Sequence, residues 1–374
     1  MKKFFAILLC LALMCTVAAC ENTVPNAFSV PWSATNIPSE YTEYDVEFAE
    51  YSQDITVKGT VIATGKQSVY IRVCEDKKED GSLLYPDCIK MTTERTVTYL
   101  SEDENGDPIN VTYSNGEIAT DNRGKTDVQF DEVIFSMASG TLMNTKYALS
   151  YRVYETSPSL NYYCEAFYGN GLRVVQYKQN SDTESALYGE PLTDELGERV
   201  VKGTYKFKSK LVPSTTYDNS QLMLITRYAD GLKEKWSGSF TVVSLADVCY
   251  SEGELVTGTF SISTAEKRSG PTVPTYYDDS AITGANSLAQ TTTEGEKRIP
   301  CLHTTFARPG DAAASKGPKF YADFAATRQV TEGAELANVL VRYEQYVPFL
   351  DFNKYDTYEY VNSLTLSYAA RNPR

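Results

Sequence analysis

The sequence predicts an all-β protein built mainly of antiparallel sheet, with few short helices. Three observations carry this: two-residue alternation, Asn-Gly turn chemistry between the alternating runs, and 28 tyrosines in 374 residues. Alternation is clearest in Tyr205-Lys206-Phe207-Lys208-Ser209-Lys210-Leu211, where three lysines share one face and Tyr, Phe and Leu the other. A half-wet antiparallel sheet produces that pattern, whereas parallel strands buried on both faces read as continuous apolar runs. Further runs are Ile55-Thr56-Val57-Lys58, Thr96-Val97-Thr98-Tyr99 and Ile109-Asn110-Val111-Thr112-Tyr113.

Turns separate them at Glu104-Asn105-Gly106-Asp107-Pro108, Ser114-Asn115-Gly116, Asn122-Arg123-Gly124 and Asn170-Gly171. Asn and Gly both tolerate positive φ, which a tight hairpin needs. Short helices are expected to open at Pro191-Leu192-Thr193-Asp194-Glu195-Leu196 and at Thr331-Glu332-Gly333-Ala334-Glu335-Leu336. The polar, acidic stretch 179–198 suggests a boundary between an N-terminal β domain, 41–190, and a C-terminal one, 198–374. Residues 265–298, rich in Thr, Ser, Gly and Pro, read as a long surface loop. Val57-Lys58-Gly59-Thr60, Val201-Lys202-Gly203-Thr204 and Val256-Thr257-Gly258-Thr259 echo one another. They leave two architectures open, two related β units or one large curved sheet or sandwich.

The amino terminus has its own logic. Lys2-Lys3 precede 16 uncharged residues, Phe4 to Ala19. A span needs about 20 residues at ~1.5 Å each, so residues 1–19 read as a signal peptide outside the fold. Val17-Ala18-Ala19-Cys20 closes this segment. It resembles the lipobox of bacterial lipoproteins, an aliphatic residue and two small ones before an invariant cysteine. The resemblance covers the first 20 residues and implies diacylglyceryl modification of the Cys20 thiol, then cleavage before it. Ordinary cleavage after Ala19 and an uncleaved anchor are the alternatives. Residues 20–40, with Pro25, Pro31 and Pro38, then form a lipidated tether, and the body is expected to be extracytoplasmic. One acyl chain holds a protein marginally and two hold it stably.

Removing residues 1–19 leaves 33 lysines and arginines against 49 acids, a net charge of −16. Such a body repels phosphate backbones and anionic headgroups, which argues against nucleic acid as a partner. The membrane is expected to be met through the lipid on Cys20. Five cysteines remain in the body: Cys74, Cys88, Cys164, Cys249 and Cys301. An odd number cannot pair completely within one chain. Cys74 and Cys88 flank a polar segment and could close a hairpin as a disulfide. Scattered buried thiols acting as small hydrophobes are the preferred reading.

No residue is assigned as catalytic, cofactor-binding or metal-binding. The single histidine, His303, shares a strand face with Cys301 if 299–304 is extended, but a dyad should show a third, orienting group. Phosphate-binding glycine loops, the G-x-S-x-G elbow and paired zinc-ligand spacings are missing. Asp103 to Asp107 and Asp121 to Gly124 read as turns rather than calcium loops. The tyrosines read chiefly as strand-formers, with an aromatic groove for a sugar or an apolar ligand as the functional reading. Leu364-Thr365-Leu366-Ser367-Tyr368 and Leu222-Met223-Leu224-Ile225 could line such a groove. A non-catalytic binding or structural body is therefore expected. Its partners would be an apolar small molecule or a surface protein. The alternative is a surface hydrolase acting on glycans or peptides through carboxylates.

Overall fold

The computed structural model describes residues 45–112, 122–136, 144–212, 216–221, 238–251, 253–255, 257–262, 266–272, 290–291, 297–307, 319–325, 330–331, 334–335, 340–347 and 360–371. Between 257 and 335 the description concerns backbone path and register. Residues 1–44, with Cys20 and the tether, lie outside it, as does Leu222 to Ile225.

The fold is all-β and mainly antiparallel, as predicted. Strands β1 (Asp45–Val57), β2 (Thr60–Val73), β3 (Cys88–Tyr99), β4 (Thr126–Ser136), β5 (Thr145–Tyr154), β6 (Tyr162–Gly169), β7 (Gly171–Tyr177) and β8 (Val201–Lys208) form a meander in which each pairs with the next. The chain continues through β9 (Thr216–Asp218), β10 (Gly238–Val243), helix α1 (Leu245–Tyr250), β11 (Thr257–Ile262), β12 (Glu266–Thr272), β13 (Gln290–Thr291), β14 (Lys297–Ala307) and β15 (Lys319–Ala325). A small hairpin, β16 (Val330–Thr331) with β17 (Ala334–Glu335), precedes β18 (Leu340–Val347) and β19 (Tyr360–Arg371).

Strand β19 returns to pair with the free side of β1, and β18, β15 and β14 follow outward from it. Strands β11, β12 and β13 pair along β14, β10 pairs β11, and β9 runs parallel to β10. One hydrogen-bonded sheet thus spans the first and last described strands.

Its inner face follows from alternation. In β1, Ala49, Tyr51, Gln53, Ile55 and Val57 are buried at every second position. Cross-strand register carries the same face through Ile71, Met91, Val97, Val133, Ala148, Tyr162, Cys164, Ala166 and Val174. At one end Ile55, Val57, Ile62, Ala63, Val97 and Ile109 form an apolar cluster. At the other, α1 lays Leu245, Val248 and Cys249 inward, with the Tyr250 ring edge-on to Tyr162 at 5.5 Å.

Several local expectations are corrected. Residues 191–196 are not helical. Pro191 bridges Gln179, Thr193 bridges Arg199, and the Asp194 carboxylate accepts from the backbone N–H groups of Leu196 and Glu198 at 2.9 Å. That side chain closes a turn instead of capping a helix. The second expected helix is the β16–β17 hairpin. Within 265–298, residues 266–272, 290–291 and 297–298 are strand, and the rest lies outside the described residues. Of the run Ile109 to Tyr113, residues 109–112 form no strand and hold one bridge, at Thr112, and Tyr113 lies outside the described residues. Helix α1 was not predicted, although Ser244 caps it by accepting from the N–H of Asp247, three residues on. The Val-Lys-Gly-Thr echoes do different work: Lys58 and Gly59, both at positive φ, make the β1–β2 turn, while Val201 to Thr204 lies inside β8. The Asp103 turn is as expected, with its carboxylate accepting from Asn105 and Asp107 N–H.

Candidate functional site

Polar residues occupy inner-face positions where alternation calls for apolar ones. Gln53 Nε2 donates to Asn362 Oδ1 at 2.7 Å, and Arg95 Nε donates to Gln53 Oε1 at 2.7 Å. On β4 and β5, Arg152 Nη2 donates to Asp131 Oδ2 at 2.9 Å, while Ser150 Oγ donates to the other Asp131 oxygen at 2.6 Å. Arg152 also donates to the carbonyls of Phe130 and Tyr151, and its guanidinium lies over the Tyr162 ring. Ser150 Oγ and Tyr162 OH, 2.9 Å apart, share a hydrogen bond. These groups satisfy one another across six strands, which is how a buried ionic network supports a core.

A second buried carboxylate, Asp218, ends β9 and is bonded to Tyr168 of β6. Asp218 is fully buried, and burial pushes its pKa up. Ser220 N–H and Oγ donate to Oδ1 at 2.9 and 2.6 Å, and Tyr168 OH donates to Oδ2 at 2.7 Å, which offsets part of that rise. Because the folded pKa exceeds the unfolded one, ionisation of Asp218 opposes folding, and this cost sets in as pH climbs above the unfolded value of about 3.9. Removing the Tyr168 hydroxyl raises the folded pKa further. Tyr168→Phe is therefore expected to lose about 1–3 kcal/mol at pH 8 and less at pH 4. Urea denaturation at both values measures this, and a deficit independent of pH would contradict it.

The outer face carries aromatic rows. Phe130, Tyr151, Tyr163 and Tyr177 are directly opposed on β4, β5, β6 and β7. The first three rings stack nearly parallel, with centroids 4.9 and 5.4 Å apart, and Tyr177 meets Tyr163 edge-on at 5.9 Å. Tyr163, at the middle of the row, is buried, with the Arg199 guanidinium over its ring at 5.0 Å. Glu165 sits inside this network, taking 2.8 Å and 2.7 Å bonds from Arg199 Nη1 and Tyr177 OH. Burial and that bond to Glu165 push the Tyr177 phenol up to about 12.

The margin of this face is cationic. Arg173 on β7 lies over the Phe167 ring at 4.2 Å and is directly opposed to Lys206 on β8. Both are exposed, and among the described residues neither has a carboxylate partner. Separately, Lys178 and Lys202 line a groove of about 320 Å³ with Asn161, Gln179, Tyr188 and Leu192. Asn161 Nδ2 donates to Tyr188 OH at 2.9 Å, and Gln179 Nε2 to the Gly189 carbonyl at 2.7 Å, so these amides shape the wall.

The residues singled out in the sequence are dispersed. Cys74 and Cys88 are brought together: Cys74 N–H donates to the Cys88 carbonyl at 2.9 Å, and both thiols, free here, pack in one cluster with Ile134, Tyr85 and Tyr147. Burial pushes the Cys74 thiol up to about 11. Cys301 and His303 stand two residues apart on β14, and register sets His303 opposite Asp323 and Glu266. Leu364 and Leu366 are buried in the core. The cationic margin was visible as the lysine face of 205–211, but its partner Arg173 needed the β7–β8 register. Among the described residues, no group of three or more His, Cys, Asp or Glu side chains is arranged to hold a metal ion, and no helix is long and apolar enough to cross a membrane. No protein family, curated protein or solved structure matches the chain.

Proposed function

We propose that the chain is a bacterial lipoprotein, held on an extracytoplasmic membrane surface by lipid on Cys20, whose β body is a non-catalytic module binding an anionic polysaccharide. The observation that carries the binding role is the opposed, exposed pair Arg173 and Lys206 on an otherwise acidic chain. Like charges directly opposed on a sheet destabilise it, so an anionic ligand across them relieves a standing repulsion. The aromatic row supports an extended ligand, since β4 to β7 span roughly 14 Å at ~4.8 Å per strand. The satisfied state of Asp131, Asp218 and Glu165 supports binding rather than carboxylate hydrolysis. The sequence Val17-Ala18-Ala19-Cys20 supports the anchor.

The test has two arms. Cys20→Ala should lose radiolabelled palmitate and move to the soluble fraction, and a labelled, membrane-bound variant would refute the anchor. The released protein should bind polygalacturonate in a salt-sensitive manner and ignore neutral dextran. Arg173→Ala with Lys206→Ala should weaken binding about tenfold, worth ~1.4 kcal/mol. Equal binding to dextran, or binding only to phosphatidylglycerol vesicles, would overturn the ligand class.

A further inference from the structure

Helix α1 is the one α-helix among the described residues, and it docks on the inner face of β6. Two contacts fix it there. The Tyr250 ring meets Tyr162 edge-on, and Tyr250 OH donates to the Leu160 carbonyl at 2.9 Å. Between these contacts Cys249, next to Tyr250, is buried facing inward, and Cys164, two residues from Tyr162, is completely buried on β6, so the two thiols are brought close enough to influence each other. A cysteine used only as a small hydrophobe has no reason to meet a second one, 85 positions along the chain, on another element.

We infer that Cys164 and Cys249 are a disulfide-forming pair that ties α1 covalently to β6, beside the Cys74–Cys88 pair and leaving Cys301 unmatched. Oxidation in the cell rests on the extracytoplasmic location proposed above, because disulfides persist in oxidising compartments. The oxidant is a disulfide-bearing thiol oxidant. One cysteine thiolate attacks it, breaking its S–S bond and forming a mixed disulfide. The second cysteine thiolate then displaces the remaining sulfur, closing the Sγ–Sγ bond. Two cysteine thiols are oxidised, one oxidant disulfide is reduced to two thiols, and the two protons lost from the cysteines end on those thiols. The geometry also sets the timing. With both sulfurs buried beside α1, and the Cys164 thiol held protonated by the neighbouring Cys249 and by burial, exchange in the folded state is slow. The bond is made before α1 docks, or after local unfolding lifts it.

Refolding the reduced Cys20→Ala protein in oxidised glutathione tests the pairing itself. The product is unfolded without reductant, alkylated, digested and mapped by mass. The expected result is a peptide containing Cys164 joined to one containing Cys249, lighter by two hydrogens than their sum, and absent from Cys164→Ser and Cys249→Ser. Alkylation of both residues, or either one joined to Cys74, Cys88 or Cys301, overturns the inference. Mapping the wild-type protein taken from cells tests the location separately. If the pair closes in glutathione but is reduced in the cellular protein, the pairing stands and the export reading falls.

Discussion

Asp131→Ala is expected to cost about 3–5 kcal/mol of folding free energy, with Arg152→Ala close behind. The pair lies on adjacent strands of the inner face, with side chains 18% and 14% exposed. Removing the carboxylate leaves a guanidinium buried with two carbonyls, a serine and the Tyr162 face, none of which carries compensating charge. In the wild-type protein burial works against the Arg152 charge, and Asp131 together with the Tyr162 and Tyr154 phenols more than offsets it. Even without Asp131 the variant cannot escape the cost by shedding a proton at ordinary pH, because a guanidinium is too basic to be deprotonated in a protein. A paired replacement, Asp131→Leu with Arg152→Met, removes both charges at once and should recover most of the loss, because the pair as a whole gains little over apolar packing. Urea midpoints for the two single variants and the double variant decide this. A double variant as unstable as the summed singles would show that the two residues are not coupled.

The same network shows how far the sequence could be read. Strand identity was legible because alternation is local: Tyr205 to Lys208 alone states which side is wet. The inner polar groups were equally present, as Gln53 in Ala49-x-Tyr51-x-Gln53-x-Ile55, Arg95 in Met91-x-Thr93-x-Arg95-x-Val97, and Arg152 in Ala148-x-Ser150-x-Arg152. Each looks like an ordinary interruption until register aligns it with the others, and register is a non-local property. The opposition of Arg173 and Lys206 was hidden for the same reason. Helix α1 was missed because six residues are too few for a 3.6-residue period to stand out, although Ser244 and Asp247 were a usable signal. The pairing of Cys164 with Cys249 belongs to tertiary structure entirely, and no spacing rule could have found it.

Gly65 shows the same dependence on register, and its replacement is the other large effect expected. It lies mid-strand on β2, opposite Gln53 on β1 and Val97 on β3. A Cβ built there would sit 2.9 Å from Val97 Cα and closer still to the Thr96 carbonyl oxygen. Those are backbone atoms of the adjoining strand, so no rotamer change relieves the clash. The β2–β3 ladder must open, beside the position where Arg95 reaches Gln53. Gly65→Ala should therefore lose about 3 kcal/mol or more, at the upper end for overpacking. Gly59→Ala is the matched control. Its φ is +84°, yet nothing lies within 4 Å of the added carbon, so the loss should be only the ~1–2 kcal/mol of a left-handed backbone. If the two variants unfold at the same urea concentration, close strand approach is not what requires glycine at position 65.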